Sequence, residues 1–122
     1  MKPDYIVLGT NDMEASVRFY EALFEKADLA IVHATDRMTF WQSGNHGEDF
    51  AFAVAKPFDG QPATTGNGSM IGFSAASPDE VKSLHKRVIE LGGFCEGEPG
   101  QRGPRFSAYA RDLDGNKIAF FV

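Results

Sequence analysis

Residues 70–93, MIGFSAASPDEVKSLHKRVIELGG, decide the fold. The opening MIGFSA is a short run of aliphatic, aromatic and small residues that suits a strand. Ser77 then offers an N-cap, Pro78 fits the first helical turn, and Glu80 closes a capping box. Val81, Leu84, Val88 and Leu91 recur at three- and four-residue spacing, which predicts a helix with those side chains inward, and Gly92 stops it. The same syntax occurs at residues 5–24, YIVLGTNDMEASVRFYEALF. There Asn11 and Glu14 supply the cap signals, and Met13, Val17, Tyr20 and Phe24 form the apolar stripe.

Working outward, each strand-helix pair is followed by three β-rich runs: LAIVHA, MTFWQS and DFAFAVA after the first, FCEGE, RFSAYAR and KIAFFV after the second. TDR and GNHGE separate the first set as hairpin turns, and an Asp-Gly turn joins the last two runs of the second. Residues 57–68 collect Pro, Gly and small polar residues and read as a linker. The order β-α-β-β-β therefore repeats about 65 residues apart, in modules of about residues 4–56 and 69–122. The predicted class is α+β: one domain, residues 1–122, with a cupped eight-stranded mixed sheet and a helix packed outside each half. Strand alternation turns Ile6, Leu8, Ile71 and Phe73 toward the helices, and Tyr5, Val7, Met70 and Gly72 to the other face, which would line a cleft.

Composition narrows the function classes. A length of 122 residues with 43% hydrophobic content suits a single domain with a real core. A formal charge of −5 argues against a nucleic-acid partner, which needs a basic footprint. The sequence has no long apolar run and no secretory signal pattern, so the expectation is a cytoplasmic protein with no membrane partner. The single Cys95 excludes an internal disulfide and reads as a small buried apolar side chain.

Three stretches carry a family resemblance: NDMEASVRFYEALF, with its small-residue helix ending in Phe-Tyr; MIGFSAASPDEV; and the closing RDLDGNKI. Together they resemble the glyoxalase, bleomycin-resistance and extradiol-dioxygenase superfamily, the vicinal oxygen chelate fold, over nearly the whole chain. Leu113 replaces the Pro usual in the closing turn, but the Asp-Gly pair still sets that turn. The resemblance implies a divalent metal held by His or Glu from the first, fourth, fifth and eighth strands. Those positions fall on Tyr5, on the wholly apolar stretch from Phe50 to Ala55, on Met70 and on Ala119. Thioether, methyl and phenol groups are poor partners for such a cation, so the expectation is no metal and no cofactor.

His33, His46 and His85 are the only imidazoles, on a strand end, in a turn and on a helix. None has metal-motif spacing; His46, Glu48 and Asp49 read as a solvated turn, and His85 as half-buried packing. The candidate ligand-binding residues are Tyr5, Trp41, Phe52, Met70, Arg102 and Arg105. The aromatics and Met70 suit an apolar ligand, or equally a sealed core, and alternation lets only one of Phe40 and Trp41 point into the cleft. Arg102 and Arg105, in a Gly- and Pro-punctuated loop, could grip an anion. Arg111 beside Asp112 fixes the closing turn.

The reading that joins these features is a glyoxalase-like small-molecule-binding protein without the family's metal, resembling the bleomycin-resistance branch, with a small hydrophobic or amphipathic ligand. Two alternatives stay open: a metal-dependent lyase or dioxygenase with displaced ligands, and a non-catalytic interaction module. No nucleophile–base or carboxylate pair defines a metal-free reaction, so the reading leans away from an enzyme. A homodimer is expected from the resemblance and from sheet edges that need covering.

Overall fold

Strand β1 (Tyr5–Gly9) leads into helix α1 (Met13–Leu23), and strands β2 (Ala30–Ala34), β3 (Met38–Gln42) and β4 (Ala51–Ala55) follow. The second half repeats that order with β5 (Ile71–Ser74), α2 (Pro78–Glu90), β6 (Phe94–Arg102), β7 (Arg105–Arg111) and β8 (Lys117–Phe121). The computed structural model describes residues 1–44 and 49–122. The chain divides into two compact units, Met1–Thr64 and Thr65–Val122. The eight expected strands form two open four-stranded sheets, β1-β4-β3-β2 and β5-β8-β7-β6. Both are mixed: β1/β4 and β5/β8 are parallel, and the other neighbours are antiparallel.

In the first unit α1 packs its aromatic stripe on one sheet face. Phe19, Tyr20, Leu23 and Phe24 are buried with Trp41, Phe52 and Val54. The Tyr20 ring lies 4.7 Å from Phe52, and Phe24 lies 5.6 Å from Phe52 and 5.9 Å from Trp41. Trp41 donates its indole N–H to the Glu21 carboxylate, which satisfies its one polar atom. The helix starts one residue later than Asn11 predicts. Asp12 is the N-cap and accepts from the Ala15 N–H at 3.0 Å. Asn11 instead holds the linker, accepting from the Ala63 N–H at 2.7 Å and donating to the Ala63 carbonyl at 3.2 Å.

In the second unit Ser77 caps α2 as predicted, accepting from the Glu80 N–H at 3.1 Å. Glu80 reaches back to the Ala76 N–H, just before the cap, at 2.6 Å, so one orphan donor of the first turn and the N–H preceding the cap are satisfied. Val81, His85 and Val88 are the buried helix residues, over the buried Ala108, Ala110, Ile118 and Phe120 of the sheet. His85 thus lies deeper than Leu84 and Leu91, which are only half-buried. The closing turn is built around Asp112, buried, whose Oδ1 accepts from the Asp114 and Asn116 N–H groups at 2.9 Å each. Gly115, at φ 87°, supplies the left-handed residue there, and Arg111 donates to its carbonyl at 3.0 Å, as expected of a turn-fixing residue.

Candidate functional site

The sheet face of the second unit turned away from α2 carries a hollow of about 270 Å³ lined by Met70, Gly72, Arg105, Ser107, Tyr109, Ala119 and Phe121. Its shape follows from the register. Gly72, Ala119 and Tyr109 are cross-strand partners in one row, and Ser74, Phe121 and Ser107 in the next. Directly opposed residues share a face, so small side chains at Gly72, Ala119 and Ser107 leave depth between the bulkier Met70, Tyr109 and Phe121. A Cβ at Gly72 would lie 3.1 Å from Phe121 Cε1; glycine gives that ring its room.

Positive charge rims this face. The Arg105 guanidinium sits over the Phe121 ring, 4.5 Å from its centroid, while Arg102 and Lys117 approach the Tyr109 ring at 5.0 and 5.3 Å. The two candidate arginines differ in what else they do. Arg102 donates to the carbonyls of Glu98 at 2.7 Å and of Ser107, which ties its guanidinium to the β6–β7 hairpin. Arg105 is exposed and belongs to the hollow's lining. The lining contributes a thioether, a hydroxyl, a phenol and a guanidinium, and neither a carboxylate nor an imidazole.

Residues 2–120 match the Glyoxalase/Bleomycin resistance protein/Dioxygenase superfamily. The chain belongs to this superfamily. A glyoxalase/bleomycin resistance protein from Albidiferax ferrireducens is 39% identical with a TM-score of 0.84, over 97% of this chain and 95% of that one. A glyoxalase-related enzyme from Fulvimarina pelagi shares the fold at 23% identity and TM-score 0.80, covering 99% of this chain and 87% of its own. Lactoylglutathione lyase from Agrobacterium tumefaciens does so at 20% identity and TM-score 0.70, covering 98% and 92%. The search of curated proteins returns no match.

In this glyoxalase-superfamily chain, Met70, just before β5, and Ala119 on β8 line one hollow with Arg105. Tyr5 belongs to the first unit. It borders a hollow of about 450 Å³ in the first unit, with Asp4, Val32, His33, Met38, Phe40, Gln42 and Ala51. Its ring meets Phe40 edge-on at 5.5 Å.

Trp41 and Phe52 correct the expectation that they line a cleft. They are register partners on β3 and β4 and are buried beneath α1, 0% and 3% exposed. Phe40 takes the outward position that alternation left open between it and Trp41. Cys95 is a second correction, being exposed rather than buried. His46 and Glu48 lie outside the described residues; Asp49, beside them, accepts from the Ser43 hydroxyl at 2.7 Å.

One grouping escaped the sequence reading. His85, Cys95 and Glu98 converge, with His85 Nε2 3.3 Å from Cys95 Sγ and that sulfur 3.3 Å from Glu98 Oε1. A strand places residues three apart on opposite faces, so the spacing of Cys95 and Glu98 carried no signal. Between them Cys95 pairs with Ala110 and Gly97 with Tyr109. Glu96 is therefore an extra residue, and this bulge returns Glu98 to the Cys95 side.

Proposed function

We propose that the open sheet face of the second unit binds a small amphipathic anion and works without the divalent ion implied by the superfamily resemblance. The observation that carries this reading is the hollow at Met70, Tyr109 and Phe121 with the Arg105 guanidinium beside it. Divalent cations of the zinc, iron or manganese type take carboxylate or imidazole donors, and Met70 and Ala119 offer neither. The lining does not fit that ion. Apolar walls with a single guanidinium suit an aromatic or aliphatic body carrying a carboxylate, sulfonate or phosphate.

Sequestration is the function that follows: capture of an apolar small molecule, with affinity from burial and orientation from Arg105. Burying about 150–250 Å² of an aromatic group contributes several kcal/mol before association costs, enough for micromolar binding. The reading includes a homodimer, because each sheet ends on edge strands, β1 and β2 or β5 and β6, that association would cover.

The test is calorimetric titration with anilinonaphthalene sulfonate, an aromatic anion. Met70→Glu sets a carboxylate into the hollow and is expected to weaken binding roughly tenfold or more, about 1.4 kcal/mol, with the fold intact. Equal affinity in the variant rejects the reading. Met70 is exposed, so the variant is expected to fold as wild type does, which circular dichroism checks.

A further inference from the structure

We propose that His85, Cys95 and Glu98, on the α2–β6 side of the second unit, form a site for one zinc-class divalent cation, separate from the open-face hollow. The three donor atoms lie within 4.8 Å of one another. Tetrahedral zinc with Zn–S about 2.3 Å and Zn–N or Zn–O about 2.0–2.2 Å sets its donors about 3.5 Å apart. The two contacts at Cys95 Sγ, 3.3 Å each, already approach that edge length. The remaining His85–Glu98 edge closes by movement of Glu98, an exposed side chain on the strand surface.

Each donor comes with support. His85 is 6% exposed and held among Val81 and Val88 on α2, so its ring is positioned before any ion arrives. Cys95 and Glu98 are both exposed, which leaves an entry path and a fourth position for water or a solute. Thiolate and carboxylate together offset the ion's two charges, and a sulfur donor selects zinc or cobalt over magnesium or calcium. On binding, the Cys95 thiol proton leaves to solvent, and His85 presents the Nε2 lone pair with its proton on Nδ1.

The competing use of such a trio is a reactive thiolate, and the local electrostatics oppose it. The Glu98 carboxylate accepts from Cys95 Sγ at 3.3 Å, and Glu96 is its neighbour in the chain, so acidic groups surround the thiol. Activated cysteines sit in electropositive surroundings instead.

The experiment is cobalt titration of the full chain, followed by near-ultraviolet thiolate-to-cobalt charge-transfer absorption and by displacement with zinc. One equivalent per chain with that absorption is expected. Cys95→Ser should abolish the band and Glu98→Gln should weaken cobalt binding roughly tenfold or more, with unchanged circular dichroism. Arg105→Gln, which bears on the open-face hollow alone, should leave the band as it is; the two proposals thus fail separately. Absence of a thiolate band at saturating cobalt, or binding unaltered in both Cys95→Ser and Glu98→Gln, would reduce the trio to hydrogen bonding and overturn the site.

Discussion

The Arg105 guanidinium stands 4.5 Å from the centroid of the Phe121 ring, at the rim of the hollow formed by β5, β7 and β8. The ring face holds the cation through its quadrupole, a contact of about 0.5–1 kcal/mol at an exposed site. That contact fixes a positive charge beside apolar surface.

Arg105→Gln should therefore weaken binding of anilinonaphthalene sulfonate about three- to tenfold, through loss of the charge. The difference between variant and wild type should shrink as salt rises, since the site is exposed. Calorimetry at low and high ionic strength checks both. A salt-independent difference would mean that the substitution acts through packing.

Trp41→Phe tests the corrected placement of Trp41. Its indole fills the space between α1 and β4 and donates to Glu21. The smaller ring should cost about 1–3 kcal/mol of stability, from lost contact area and a lost hydrogen bond. Denaturant unfolding measures this. Affinity for the sulfonate probe should stay unchanged, because Trp41 borders neither hollow.

Glu96 and Arg111 form an ion pair at 3.0 Å. The hydrogen bond and charge of Arg111 hold the Glu96 carboxyl below its usual range. A group whose pKa is lower in the folded state stabilises above its unfolded value, about 4.3 for Glu, and loses that contribution as pH falls through the folded value. Glu96→Gln should thus lower stability slightly at neutral pH and converge with wild type in acid. Melting temperatures across pH 2–8 check it, and a gap that widens in acid would contradict the assignment.

Much of this was legible in the chain. The start of α2 and the inward faces of Ile6, Ile71 and Phe73 follow from the Ser77 cap and period-two alternation, and the turn at Asp112–Asn116 from its Asp-Gly pair. Phe52 was not legible, because residues 51–55 are apolar at every position and give alternation nothing to act on. In the structure Phe52 and Val54 meet α1, while Ala51 and Ala53 pair with Tyr5 and Val7 on the opposite face. Asn11 and Asp12 are similarly favoured as caps, so the start of α1 was ambiguous by one residue. Convergence of Cys95, Glu98 and His85 depends on a bulge, which alternation cannot foresee.

The most direct test of the open-face account is an amide chemical-shift map of isotope-labelled protein titrated with anilinonaphthalene sulfonate. The account predicts saturable shifts concentrated at Met70, Gly72, Ser107, Tyr109, Ala119 and Phe121. Shifts confined to other residues, or none at millimolar probe, would contradict it.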